Sequence, residues 1–443
     1  MSKYKLFESL SYIDDKILIK SEKKSKLTIL KITAAVLAIA FLFNFSPAYA
    51  VKEAIYPEVV PYPSNNPFTY DENIDKWDNC RKERLKKYQY TVNIDEFLSN
   101  SLTEFLSNNN QNSVYSPLNT YICLAMLAET TDGNTREQIL DLLNETDITS
   151  LRENTNKIWN YHYNDDKLTK TILANSIWFD DNISLNLNTL ETLAESYYTS
   201  SYQGKMGSNS FNNAYKKWLK SYSIDAQDSL SSQTVLTIVS AIEFNARWLN
   251  EFTRTEQGIF HSNNNDINCE FMKSESVLNY YWGDTFSAIR LNLQNQTGSM
   301  FFILPDNDMK TDEISQFILS NYNWSNTKEL EVNLSLPKFG INSNLNLVDS
   351  FKNMGITDIF DKNKADFSPL TSENTLFITD ITQNINLKID EEGIAASGYT
   401  RADMAGGAEP ASDKIDFILN RPFLFVVTNQ NKIPLFIGSV YNP

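Results

Sequence analysis

Side-chain chemistry needs a nucleophile with a base, a proton carrier or a set of metal ligands, and this chain is poor in all three. Its 443 residues hold two histidines, His162 and His261, and three cysteines, Cys80, Cys123 and Cys269. The histidines are far apart and neither stands beside a second His or a Cys, so neither a zinc site nor a Ser-His-Asp relay is legible. No C-x-x-C pair, G-x-S-x-G elbow or glycine-rich phosphate loop accompanies them. Carboxylate pairs are too numerous in so acidic a chain to mark a glycosidase-type site. No catalytic residue, metal or cofactor is expected. The segment that stands out is a strip of backbone at residues 391–407, EEGIAASGYTRADMAGG.

That strip is built of Gly, Ala and Ser, which punctuate loops and tethers, yet it has two faces. Every second residue from Ile394 gives Ile394, Ala396, Gly398, Thr400, Ala402, Met404 and Gly406, all uncharged. The alternate set, Ala395, Ser397, Tyr399, Arg401, Asp403, Ala405 and Gly407, holds both charges. Successive side chains of a strand point to opposite faces, so this parity lets one face be buried and the other wetted. A segment of loop composition carries the pattern of a strand.

The elements on either side are strands. Residues 376–390, LFITDITQNINLKID, alternate Ile and Leu with polar side chains, and residues 417–443 read as two apolar strands around turn residues 429–432. A glycine-rich tether between two sheet strands near the chain end is an odd place for a domain linker.

Here the chain resembles the serpins, a family of serine protease inhibitors. FILNRPFLFVV at 417–427 is similar to their C-terminal signature, and Glu391, Glu392, Gly393, then Ala395, Ala396, Ser397, to their reactive-loop hinge. The likeness is ordered along the chain. Residues 112–140 match a helix and its following turn, with Ser116, Pro117, Ala125, Met126, Gly133, Thr135 and Gln138 in place. LANSIWF (173–179) and residues 234–252, with Trp248 and Phe252, match two central strands; residues 299–308, 334–347, 353–360 and 365–371 follow in register.

The resemblance implies an α+β serpin fold: a large central mixed sheet, further sheets, about eight to nine helices and an exposed reactive-centre loop. It implies inhibition by suicide-substrate acylation followed by insertion of the loop into the main sheet. The hinge would be Glu391, Glu392, Gly393, Ile394, Ala395, Ala396, Ser397 and Gly398, and the inserting face would be the uncharged set from Ile394 to Gly406. Counting from the hinge glycine, as the family does, places the scissile bond between Gly407 and Ala408. The small residues around it fit a serine protease with a small or permissive first pocket, elastase-like or subtilisin-like, or a cysteine protease. Cleavage at Arg401 would leave too little strand to insert. The alternative is a non-inhibitory serpin acting as an extracellular binding or structural protein. His261 follows Phe260 as in a pair common in the family, which implies a structural role.

Some positions depart from the family pattern. Where a hydrogen-bonded cluster lies beneath the opening sheet, Ser116 matches, but Asn119, Lys216 and Gln383 stand at the other positions. A sheet-opening cluster of Ser116, Asn119, Gln383 and Trp248 is expected, with Asn119 and Gln383 forming an amide pair. Lys216 has no such account. Ile394 stands where Thr or Ser is typical, and Tyr399 is bulky.

Composition agrees with one large domain. Apolar residues make up 42% and aromatics 12%, which argues for a packed core. Residues 89–443 are read as the serpin domain and 51–88, with Pro57, Pro61, Pro63 and Pro67, as a spacer. The first 50 residues carry 8 lysines and 4 acids, leaving 31 basic and 51 acidic residues, net −20; phosphate-backbone binding is excluded, and no nucleic acid partner is expected. Residues 27–50 are an apolar stretch behind a basic flank, ending Ala48, Tyr49, Ala50. They read equally as a cleaved signal peptide and as a transmembrane anchor. Residues 1–26 are then a long signal n-region or a cytoplasmic tail, with Leu6, Phe7, Leu10, Ile13 and Ile17 at helical spacing. Either reading puts the domain outside the cytoplasm, secreted or attached to the outer face of the cell membrane. A monomer of bacterial type is expected.

Overall fold

The computed structural model describes residues 49–63, 70–90, 94–107, 111–226, 228–263, 265–294, 297–306, 311–373, 376–394 and 413–443. Contacts divide the chain into residues 1–50 and 51–443; the second unit is described below.

The first third of the fold runs β1 (Ala50–Lys52), α1 (Tyr70–Lys87), α2 (Asp95–Ser107), β2 (Ser113–Tyr115), α3 (Pro117–Thr130), α4 (Gly133–Leu142) and α5 (Ile148–His162). Next come β3 (Asn164–Asp165), β4 (Lys170–Phe179), α6 (Leu187–Ser196), β5 (Thr199–Gln203), α7 (Asn209–Ser221) and β6 (Leu236–Arg247). The middle is mostly strand: β7 (Arg254–His261), β8 (Asp266–Trp282), β9 (Phe286–Asn292), β10 (Gly298–Pro305), then α8 (Thr311–Leu319), β11 (Thr327–Pro337) and β12 (Phe339–Asn346). The chain ends with α9 (Val348–Asn353), β13 (Ile381–Ile389), β14 (Gly393–Ile394), β15 (Lys414–Ile418), β16 (Phe423–Asn429) and β17 (Pro434–Val440).

Among the described residues the strands form two sheets. One has the order β1-β5-β4-β6-β14-β13-β12, with β3 beside β4; the other runs β15-β11-β8-β9-β10-β16-β17-β2, with β7 beside β8. β4 is buried at every residue after Lys170, and β16 and β17 are buried throughout. Such unbroken buried runs, mostly apolar, are what strands covered on both faces show. β16 pairs β17 across the turn at 429–433, where Lys432 takes φ 63°, so the apolar hairpin expected at the C-terminus is present.

Helices cover the sheets for local reasons. α3 begins where the Ser116 hydroxyl accepts the Asn119 N–H at 3.3 Å, followed by Pro117 in the first turn. All its residues except Glu129 are buried. Asp147 caps α5 by accepting the amides of Thr149 and Ser150 at 2.8 and 2.9 Å. α2 and α8 close one core over the second sheet, where Phe301 and Tyr322 stack at 3.8 Å.

The described residues of 51–88, namely 51–63 and 70–88, pack on the fold where a spacer was expected. β1 pairs β5 and forms the edge of that sheet, and the Tyr62 amide donates to Asp166 O at 2.7 Å. Tyr56 packs on Trp159, Tyr163 and Tyr198 with ring centroids 5.3, 5.7 and 6.2 Å away. Trp77, on α1, is buried and its indole N–H donates to Asp166 Oδ2 at 3.1 Å. Pro57, Pro61 and Pro63 restrict the backbone, and the aromatic residues near them supply the burial that average polarity conceals.

Candidate functional site: the turn at 390–394 and the gap in the eight-stranded sheet

β6 and β13 lie side by side but are bonded over only part of their length. Parallel pairing joins Ile381–Ile385 to Ile238–Ile242. Beyond it β14 is wedged between them, antiparallel to both, with Ile394 opposite Ile389 on one side and Ala246 on the other. Ile394 is fully buried. Gly393 faces Arg247, and a Cβ there would stand 2.2 Å from Ala246 O. Only glycine admits that approach of the two backbones.

The turn that delivers β14 is tied down by main chain and charge together. Asp390 Oδ1 accepts the amides of Glu392 and Gly393 at 3.1 and 3.4 Å. The Trp248 and Phe252 amides donate to Glu392 O and Glu391 O at 3.1 and 3.0 Å, and the Trp248 indole N–H to Asp390 O at 2.9 Å. Lys338 Nζ stands 2.9 Å from Glu391 Oε2 and 3.0 Å from Glu270 Oε2. The Lys338 hydrogen bond holds the Glu391 carboxyl below its ordinary range. Lys338 loses hydration, but its two carboxylate partners outweigh that and raise its pKa. On the other side Arg247, 5% exposed, pairs with Glu251 at 2.9 Å and Glu392 at 3.3 Å. Sequence reasoning missed Lys338 and Arg247: each is an ordinary basic residue at a strand end, given a role only by the fold.

Lower in the sheet, Ser116, Asn119 and Gln383 meet, but not as expected. Gln383 Oε1 accepts the Ser116 amide at 2.7 Å, and its Nε2 donates to Ser116 O and Thr120 Oγ1, each at 3.1 Å. Asn119 turns the other way, its Nδ2 donating to Ser240 Oγ at 2.5 Å and its Oδ1 accepting from Asn175 Nδ2 at 3.1 Å. The expected Asn119–Gln383 amide pair is replaced by two separate bridges: one from α3 to β13, the other from α3 to β4 and β6. Helical phase decides this, since Ser116 caps the helix and Asn119 points from its first turn. Trp248 bonds to the turn at Asp390 and Glu392, not to this cluster. Lys216 is exposed on α7, whose inward side is Phe211, Ala214, Tyr215, Trp218 and Leu219.

The remaining expected residues of the loop, Ala395, Ala396, Ser397, Gly398, Thr400, Ala402, Met404 and Gly406 with the pair Gly407 and Ala408, lie outside the described residues. The chain re-enters the fold at β15, parallel to β11. His162 is buried between Tyr90 and Asn429, and His261 is exposed beside Asp266. Cys123 is buried and its thiol pushed up to about 12 by loss of solvent. Among the described residues there is no cluster of three His, Cys, Asp or Glu able to hold a metal ion.

The architecture is α+β, with β14 set between β6 and β13 of the eight-stranded sheet, and the comparisons agree with that class. The family described as Serpin (serine protease inhibitor) matches residues 93–443. The chain belongs to the serpin family. It is 26% identical over 363 residues to plasminogen activator inhibitor 1 of Neovison vison, covering 75% of this chain and 88% of that protein. It is 28% identical over 355 residues to alpha-1-antiproteinase of Callosciurus caniceps, covering 76% and 84%. Among solved structures, the thermophilic serpin tengpin in its native state superposes with a TM-score of 0.70 at 25% identity, covering 88% of this chain and 98% of that one. Thyroxine-binding globulin in complex with thyroxine, at 18% identity and a TM-score of 0.66, shares the fold.

Proposed function

We propose that this serpin inhibits serine proteases by offering residues 395–412 as a substrate and inserting the cleaved loop between β6 and β13. The position of Ile394 carries the reading. It is the first member of the uncharged alternating set, it is fully buried, and it is bonded to both strands that would flank an inserted strand. Continuing the two-residue period sends Ala396, Gly398, Thr400, Ala402, Met404 and Gly406 inward, where an unpaired charge would cost several kcal/mol, and leaves Arg401 and Asp403 in water.

The chemistry belongs to the protease. Its serine oxygen adds to the Gly407 carbonyl carbon, the bond to the Ala408 nitrogen breaks, and the amine leaves with a proton from the protease's histidine, so that Gly407 is held as an ester. The freed segment exchanges the short parallel seam for two antiparallel ladders, which are somewhat more stable per residue. At about 3.3 Å per residue, some 15 residues span roughly 50 Å, carrying the esterified protease with them before water can release it. The small residues about Gly407 point to elastase-like or subtilisin-like targets.

We place the domain outside the cytoplasm, on the strength of the basic flank, apolar stretch and small-residue site at 20–50. Residues 20–48 of it lie outside the described residues, and among those described no helix is long and apolar enough to cross a membrane.

The test is to incubate the purified chain with subtilisin and with elastase and separate the products on denaturing gels. A covalent complex stable in detergent supports inhibition. Loop cleavage with full residual protease activity overturns it in favour of a binding or structural serpin.

A further inference from the structure

Residues 57–60 and helix α1, all ahead of the family match that starts at 93, form a cleft of about 410 Å³ against Asn160 and Asn164. This is within the size range of small-ligand pockets. One wall is apolar, with Val59, Val60 and Trp77; the rest of the lining holds three cations, Arg81, Arg84 and Lys87, and two carboxylates, Glu58 and Glu83. In a chain this acidic, a run from Arg81 to Lys87 with five basic residues and one acid is out of keeping with its surroundings.

Arg84 makes the cleft more than a crevice. Its Nη2 donates to Asn164 Oδ1 at 3.1 Å, but Nε and Nη1 are buried and find no acceptor among the described residues. Buried guanidinium N–H groups are normally paired, because water has been lost and must be replaced. The nearby carboxylate, Asp166, does not serve. Its Oδ2 takes the Trp77 indole N–H, and its Oδ1 takes the amides of Leu168 and Thr169. Arg84 also lines a second, smaller cavity of about 60 Å³. Arg81 is committed elsewhere, to Gln430 Oε1 at 2.9 Å and over the Trp77 ring.

We propose that this cleft binds an amphipathic carboxylate, its anionic head on Arg84 and its apolar body along Val59, Val60 and Trp77. The head supplies the acceptor that Arg84 lacks, and the apolar wall accounts for a body longer than a simple anion. This site is independent of the inhibitory loop, and nothing in the loop's chemistry calls for it.

Cys80 lines the same cleft and Cys269 lies on β8 away from it, both half-buried thiols, so the full chain reports on the site by itself. The test follows alkylation of each cysteine with iodoacetamide, read by peptide mass spectrometry, with and without octanoate. Saturable slowing at Cys80 with no change at Cys269 is expected. Protection by 1-octanol or by acetate should be much weaker. In Arg84→Gln, octanoate should protect about tenfold less well, the effect of one charge-assisted hydrogen bond. Cys80 unprotected in the unaltered chain overturns the site, even if the variant does not fold. Equal protection by octanol, or full protection in Arg84→Gln, overturns the anionic head.

Discussion

Glu391 and Lys338 meet at 2.9 Å where the hinge leaves β13 and β12 begins, so the turn that feeds the loop into the sheet is fastened to the sheet's outer edge. Both side chains are partly exposed, 41% and 27%, which limits what the pair contributes. Lys338→Met is expected to cost at most about 1 kcal/mol at pH 7. The Glu391 carboxyl is held low by Lys338, so its contribution is complete above its unfolded value near 4.5 and is lost as pH falls through the folded one. Denaturation curves of both proteins at pH 7 and pH 4 test this: the gap between them should narrow at pH 4, and a gap that widens refutes the assignment.

Gly393→Ala should empty the upper gap. The added methyl would stand 2.2 Å from Ala246 O, a backbone atom that cannot swing aside, so Gly393 and Ile394 must leave their places beside β6. Hydrogen exchange is the measurement, with faster exchange expected at the Trp248 and Phe252 amides, which now donate to Glu392 O and Glu391 O. Unchanged protection there would show that the wedge survives the methyl.

His162 sets a second pH dependence. Burial pulls its pKa down to about 3. Asn429 Oδ1 accepts the amides of Asn431 and Ile433, which leaves Nδ2 to donate to His162 Nδ1 at 3.4 Å. Nε2 then carries the proton and donates to Tyr90 Oη at 3.0 Å. The unfolded chain takes up a proton near 6.5 and the folded one does not. The stability conferred by the neutral ring is therefore complete above 6.5 and falls by several kcal/mol toward pH 3. Melting temperatures from pH 7 to 4 should fall less steeply in His162→Gln than in the parent. Parallel slopes would exclude His162 as a source.

The two faces of the loop can be separated by one residue. Ala396→Arg puts a charge on the face that Ile394 begins, and should abolish the covalent protease complex; Ser397→Arg should leave it intact. Equal effects in the gel assay would count against the facing. Nicked protein should also melt well above intact protein, and identical melting temperatures would mean that the loop does not insert.

Much of the fold was legible because long apolar runs leave few choices: FLFVV and PLFIG could only be covered strands. Pairings that depend on helical phase were not. Gln383 reaches Ser116, 267 positions away, while Asn119 reaches Asn175 and Ser240, and no local pattern distinguishes that from an Asn119–Gln383 pair. The misreading of 51–88 has a similar origin. Its burial rests on Tyr56, Tyr62 and Trp77, which follow no period, and on partners more than 70 residues away.

β6 faces β4 over ten matched residues but β13 over only five, and those five are parallel. An agent that must separate β6 from β13, whether heat, denaturant or a second copy of the loop strand, has only the short parallel row at Ile238–Ile242 to undo there, and can leave the ten-residue β4–β6 ladder whole.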